Sequence, residues 1–241
     1  MDFSFLRSKK SDVLHVDIHS HILPGVDDGS KSMSESLEIL RGLESLGYQK
    51  AITTPHIYPE LYPNKEADLL EALPSLRDAA VDAGLRIEVG LAAEYFVDGT
   101  FLERLKEKSR FLTFGDRYLL METAFGNLPL FWEEVLFESK AQGFKPVLAH
   151  PERFTYVMDD ITMLSRWRKI GLLFQVSLPS LVGFYGSTQK KLALQIIKLG
   201  YCDFLGSDIH SPSHLPVLQK ALKTRARSVL RGRSMLNKSL R

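Results

Sequence analysis

The chain has 241 residues, 44% apolar and 25% charged, with a net charge of only +2 and a single cysteine. That length suffices for one large core, and the near-neutral balance argues against a nucleic-acid partner. Lone Cys202 excludes an intramolecular disulfide, no apolar run approaches the ~18 residues of a membrane span, and no signal-peptide pattern is present, so the sequence predicts one cytoplasmic domain over residues 1–241.

Residues 1–12 and about 232–241 read as tails. The first mixes Phe3, Phe5 and Leu6 with Arg7, Lys9 and Lys10, which leaves a weak membrane-surface contact as an alternative. Val13, Leu14, Val16 and Ile18 form a short buried strand that ends at His19, Ser20 and His21. Pro24, Gly25 and Gly29 then mark a loop carrying Asp27 and Asp28. Ser32 and Glu35 make a capping box for a helix with Leu37, Leu40, Leu43 and Leu46 on one side, closed by Gly47. A strand at 50–53 runs into Pro55 and His56, followed by a loop rich in proline and tyrosine and a helix over 65–83. The strand 86–93 stops at Glu94, and after a helix at 100–108 the strand 118–121 stops at Glu122. A helix at 130–142 precedes the strand 145–149, which ends at His150. Helix 161–170, strand 172–176, helix 188–199 and strand 202–206 follow, then Ser207, Asp208 and His210. A last helix starts at 214 or 215 and runs to about 230, in a basic stretch without acidic residues that reads as a solvated helix end, with an anionic surface as the alternative.

Strand–helix alternation repeated seven times predicts a parallel sheet with right-handed crossovers, either open or closed into a barrel. His19 with His21, His56, Glu94, Glu122, His150, and Asp208 with His210 follow six of the seven strands at their C-terminal ends. A barrel brings those ends to one face, whereas an open sheet spreads them apart. The barrel is therefore the expected architecture.

Any one of these residues is explained as a polar strand end facing water. Six such strand ends point to metal ions. Five imidazoles with the carboxylates of Asp28, Glu94, Glu122 and Asp208 exceed the needs of one ion, so two or three ions would share bridging carboxylates. Oxygen and imidazole donors without thiolate favour manganese, iron or zinc. Three divalent ions against four carboxylates would leave about +2, which suits a phosphate dianion and a readily ionised water. Arg153 follows three residues after His150 in HPERF. Its guanidinium can grip two phosphate oxygens, or it can pair on the surface with Glu152. The cysteine phosphatase pattern is absent, since five residues after Cys202 the next position is Asp208, and no Walker loop or G-x-S-x-G elbow occurs. His15 and His214 read as structural.

DIHSH, VDDG, TPH, AEY, MET, AHPER and GSDIH occur in the order seen in the PHP (polymerase and histidinol phosphatase) superfamily. Together they most resemble its bacterial protein tyrosine phosphatases from capsule and exopolysaccharide clusters, over residues 17–210. The resemblance implies a distorted seven-stranded α/β barrel with three divalent ions, manganese first and iron or zinc as alternatives. By motif, His19, His21, Glu94 and Asp208 would hold one ion. Glu94 would bridge to a second with Glu122 and His150, and Asp28, His56 and His210 would hold the third. Arg153 matches the phosphate-binding arginine. The implied reaction is hydrolysis of phosphotyrosine on an autophosphorylated membrane tyrosine kinase controlling polysaccharide export. A small-molecule phosphatase acting on a histidinol-phosphate-like substrate, or a metal-dependent scaffold, is the alternative. Such enzymes carry a second arginine beyond S-D-x-H, where this chain has SPSHLP with His214 and Leu215. Tyr58 and Tyr95, with Tyr62, Phe96, Phe125, Phe154 and Tyr156, are expected around the mouth, at least half of them packed beneath loops.

Overall fold

The strands alternate between two environments, and that alternation positions everything else. In the computed structural model, which describes residues 14–226 and 235–240, the elements run in the order β1 (Val16–Asp17), α1 (Met33–Leu46), β2 (Lys50–Thr53), β3 (His56–Ile57) and α2 (Glu66–Asp82). Then come β4 (Glu88–Leu91), β5 (Glu94–Phe96), α3 (Gly99–Lys106), β6 (Tyr118–Glu122), α4 (Trp132–Ala141) and β7 (Lys145–Ala149). The rest are α5 (Thr155–Asp159), α6 (Thr162–Lys169), β8 (Leu173–Ser177), α7 (Ser187–Lys198), β9 (Phe204–Gly206) and α8 (Leu215–Ala221). Along β6, Leu119 and Met121 enter the large apolar cluster shared with the helices, while Tyr118 and Leu120 enter a smaller one with Val16, Ile18, Ile52, Val147, Ala149 and Phe204. A strand repeats every two residues, so each strand faces helices on one side and the other strands' inner faces on the other.

This is an α/β fold whose strand pairs are parallel: β1-β2-β4 form one sheet and β3-β5-β6-β7-β8-β9 a second. Nine strands occur among the described residues where seven were expected, because β3 and β5 start just beyond the expected strand ends at 53 and 93. Pro55, which has no N–H to donate, separates β2 from β3, and Ala92 and Ala93 separate β4 from β5. Ala92 N donates to Thr53 O and Glu94 N to Pro55 O across the interruption, which keeps the halves in line.

Beyond the ends of β1 and β9, an isolated parallel bridge joins Ser20 and Ile209. Side chains also link these two segments. Asp17, fully buried, accepts from the backbone N and the hydroxyl of Ser207. Asn237, also fully buried, donates to Val16 O and Leu205 O and accepts from Leu205 N, at 2.8–3.0 Å. Residues 235–240 are therefore packed structure and not the expected tail: Met235 and Leu240 lie in the two apolar clusters.

Several boundaries match their local causes. Ser32 Oγ accepts from Glu35 N and the Glu35 carboxylate accepts from Lys31 N, while Gly47 ends α1 at φ +100°, open to glycine. The last helix is shorter than expected, passing at Leu222 into a π-helical turn through Ala226. Its expected continuation to 230, like the N-terminal residues 1–13, lies outside the described residues. Among the described residues no helix is long and apolar enough to cross a membrane.

Candidate metal centre

The inner-face alternation carries Glu94 and Glu122 to the C-terminal end of the strands, in line with the smaller apolar cluster below them. His150 and Asp208 reach the same place by a different device: both adopt left-handed backbone conformations, at φ +32° and +52°. Non-glycine residues in that region cost of order 1–3 kcal/mol each and persist only where the surroundings impose them. Here they re-aim an imidazole and a carboxylate as the chain leaves β7 and β9.

Glu94 is the hub. Its Oε2 lies 3.1 Å from His19 Nε2, 3.4 Å from His21 Nε2 and 3.3 Å from His56 Nδ1, and its Oε1 lies 3.1 Å from His150 Nε2. His56 Nδ1 is 3.0 Å from Glu122, and its Nε2 is 3.4 Å from Asp28. His210 Nε2 is 3.5 Å from the same Asp28 oxygen, and Asp208 Oδ1 is 3.6 Å from His19 Nε2. All nine residues singled out in the sequence thus meet at one end of the strands.

Ligand atoms of His19, His21 and Glu94 lie within 4.8 Å of one another. So do those of His56, Glu94 and Glu122, and those of His21, Asp28, His56 and His210. The grouping departs from the motif assignment at four residues: His21 also falls in the Asp28 group and His56 in the group of Glu94 and Glu122, while Asp208 and His150 fall in none of the three.

The ring nitrogens indicate which atoms are free to ligate. Gln175 Oε1 accepts from His150 N at 3.3 Å and from His19 Nδ1 at 2.9 Å, so the His19 proton sits on Nδ1 and Nε2 faces the cluster. Asp27 Oδ2 accepts from His21 Nδ1 at 2.7 Å, and the Asp208 carbonyl accepts from His210 Nδ1 at 2.9 Å. His56 Nδ1 is buried without a hydrogen-bond partner despite its closeness to two carboxylates. Imidazole nitrogens and carboxylate oxygens crowded at 3–4 Å are a donor set that fits divalent cations.

Burial alone would lower His21 and His56, but neighbouring carboxylates push them up to about 10 and about 12. Asp27 acts on the first; Asp28, Glu122 and Glu94 act on the second. Burial would raise Glu94 and Asp208, yet His19 and the other cations around them hold both well below the usual carboxylate range. His210 is pushed down to about 4 by burial and by His21, which leaves its Nε2 lone pair available.

Arg153, from the 3₁₀ turn Pro151–Arg153 after β7, donates from Nη1 to Asp208 Oδ2 at 2.7 Å and so borders the cluster; it does not pair with Glu152. Glu152 instead is fully buried and accepts from Ser177 N. Tyr58 is half-buried and stacked on Phe96 at 3.9 Å, while Tyr62 stacks on His56 at 5.2 Å. Tyr95 is a correction. Being next to Glu94 on a strand, it points to the opposite face, where it is 1% exposed, packs against Phe101 and Phe111, donates to Glu66 and accepts from Leu112 N. Phe154 is likewise fully buried, and Tyr156 is packed against it with its hydroxyl beside Thr123. Leu215 packs on α1 so closely that a Cβ at Gly42 would lie 2.4 Å from it. His214 Nδ1 accepts from His210 N.

Sequence reasoning missed Gln175 and Tyr185, whose hydroxyl donates to Asp208 Oδ2 at 3.0 Å. Both come from β8 or the loop after it, the one strand without a histidine or acid at its end, so no local signal marked them.

A parallel α/β fold with five imidazoles and four carboxylates gathered at one end of its strands defines a class of protein able to hold divalent metal ions. The sequence matches, over residues 15–234, the family described as capsular polysaccharide synthesis, CpsB/CapC, and the chain belongs to that family. It is 30% identical over 207 residues to the CapC protein of Staphylococcus aureus, covering 86% of this chain and 81% of that protein. It is 29% identical over 197 residues to tyrosine-protein phosphatase YwqE of Bacillus subtilis (strain 168), covering 81% and 77%. Among solved structures it resembles one from work on YwqE from Bacillus subtilis and CpsB from Streptococcus pneumoniae, which are described as unique metal-dependent tyrosine phosphatases. The TM-score is 0.82 at 28% identity, over 93% of this chain and 90% of that one.

Proposed function

We propose that this chain is a metal-dependent protein tyrosine phosphatase that acts in the cytoplasm on an autophosphorylated membrane tyrosine kinase of capsule or exopolysaccharide synthesis. The observation that carries the reading is Glu94 facing four imidazoles, with Arg153 held at the edge of the same cluster by Asp208. Names carried by its relatives support the reaction class.

Three divalent ions fit the nine donors, manganese first and iron or zinc as alternatives. His19, His21, Glu94 and Asp208 would hold one, Glu94, Glu122 and His150 a second, and Asp28, His56 and His210 a third. When bound, such ions supply positive charge toward a phosphate and bring water's ionisation close to neutral pH. Arg153 receives the phosphate oxygens with the N–H groups that Asp208 leaves free. Tyr58 and Tyr62 offer aromatic faces at the rim for a phenyl ring. The tyrosyl oxygen leaves as a phenolate, whose conjugate acid has a pKa of about 10, so its departure asks less of the protein than that of an alkoxide. The two sheets are read as one distorted seven-stranded barrel, with β2/β3 and β4/β5 each counted once and the Ser20–Ile209 bridge as its closure.

The test is a substrate panel with manganese: a phosphotyrosine peptide, a phosphoserine peptide and histidinol phosphate. Phosphotyrosine should give the highest kcat/KM, chelation should abolish it and manganese should restore it. A higher kcat/KM for histidinol phosphate sinks the assignment.

A further inference from the structure

The guanidinium of Arg153 lies over two aromatic rings. Its Cζ is 4.4 Å from the centroid of Tyr185 and 4.9 Å from that of Phe125. Phe125 comes from the loop after β6 and Tyr185 from the loop after β8, so the two rings follow strands on either side of the one that carries Arg153. Tyr185 is held by its own loop. Gly183 and Gly186 bracket it at φ +84° and +123°, conformations that side chains resist, and Phe184 N donates to Pro179 O. Its hydroxyl donates to Asp208 Oδ2, the oxygen that also accepts from Arg153. Asp208 Oδ1 faces the imidazoles instead.

We propose that Tyr185 and Phe125 are positioning residues that set the plane of the Arg153 guanidinium, so that its remaining N–H groups meet a phosphate edge-on. A guanidinium grips two oxygens only in its own plane, and a free arginine side chain samples many planes. Two rings packed against the guanidinium restrict that freedom, while the bond to Asp208 limits its rotation further. Among the described residues Asp208 is the only side chain that accepts from Arg153, so the rest of the fork is left for a ligand. The inference rests on the reading of Arg153 as the phosphate-gripping residue. It assigns the two rings to the phosphate end of the substrate by way of Arg153, not to the tyrosyl ring.

A mutant cycle tests it. Tyr185→Leu, Tyr185→Phe, Phe125→Leu and Arg153→Ala are made singly, and each Leu change is repeated in the Arg153→Ala background. The readouts are kcat and KM for a phosphotyrosine peptide with manganese, the Kd of inorganic phosphate by calorimetry, and metal content. Tyr185→Leu should lower kcat/KM by roughly tenfold and weaken phosphate binding, at unchanged metal content, yet cost less than about twofold once Arg153 is gone. Tyr185→Phe keeps the ring and should stay within about threefold of the parent. Phe125 is half exposed, so Phe125→Leu carries little folding risk and should repeat the same coupling at smaller size. Equal losses with and without Arg153 overturn the proposal, as does Tyr185→Phe falling as far as Tyr185→Leu, which would place the effect in the hydroxyl on Asp208. If Arg153→Ala itself changes neither kcat/KM nor phosphate Kd, it is the underlying reading of Arg153 that fails.

Discussion

Near the N-terminal end of the strands, Asn237 is fully buried and each of its amide atoms meets a backbone partner on β1 or β9. At the C-terminal end, Glu94 is just as buried, but its neighbours are imidazoles at 3.1–3.4 Å that compete for the same oxygens. Both ends remove polar groups from water, at a cost offset only by good partners. At the Asn237 end the partners are fixed backbone atoms and the result is a side-chain link between β1 and β9. At the Glu94 end the partners are titratable, several pairs sit beyond hydrogen-bond distance, and the result is a cluster completed by something from outside the chain. Burial that is satisfied makes stability; burial left incomplete makes a site.

Substitutions can separate the two. The largest effect is expected for Glu94→Gln, which removes the charge facing four rings. Metal affinity should fall by more than the roughly 10–100-fold typical of losing a residue behind a ligand, and turnover with it. Full metal content in the purified variant would show that Glu94 is not the hub. Next, Arg153→Lys keeps the charge but loses the fork, and should cost on the order of 2–4 kcal/mol in kcat/KM with metal content intact. Parental kinetics would make Arg153 a bystander.

At the other end, Asn237→Ala strands three backbone groups, each costing about 1–3 kcal/mol if left unpaired. Denaturant midpoints should drop accordingly while kcat per folded molecule holds. A loss of kcat at unchanged stability would mean that the ends are not separable.

A pH series sharpens the same contrast. His21 and His56 are held up to about 10 and about 12 in the metal-free protein, above their unfolded value of about 6.5. Groups raised in this way stabilise the fold fully below about pH 6.5 and lose that contribution as pH rises toward 10. Metal-free protein should therefore melt lower at pH 9.5 than at pH 7, and the manganese-loaded protein should show a smaller decline. Equal slopes would place the pH sensitivity elsewhere. Smallest of all is Cys202→Ser. The thiol donates to Phe204 O at 3.2 Å, which a hydroxyl can also do, so activity should be unchanged. Lost turnover in a folded variant would point to cysteine chemistry.

The strand ends were legible because a histidine or acid after an apolar run is visible without knowing the fold. The caps of α1 were legible for the same local reason, and β7 ran over the expected residues 145–149. What escaped depends on distance. Tyr95 looked like a rim residue from its place beside Glu94, yet strand alternation sends neighbours to opposite faces, and that rule was available in the sequence. Gln175 and Tyr185 had no such cue, since their partners His19, Arg153 and Asp208 lie 156, 32 and 23 positions away. Asn237 sat in a basic stretch that read as solvated, and only the gap between β1 and β9 accounts for its burial.

That gap also sets an order of events. Asn237 bonds Val16 across 221 positions, and Ser207 bonds Asp17 across 190. A ribosome adding about 5–20 residues per second needs roughly 10–40 s to travel from one partner to the other. Throughout that interval the first strand is without these partners, and His19 and His21 are without Asp208 and His210. The nascent chain therefore lacks its full donor set until Asp208 and His210 emerge. Truncations that remove residues 235–240 are expected to leave Val16 O and Leu205 without their Asn237 partner and so to be met by quality control as a less stable product.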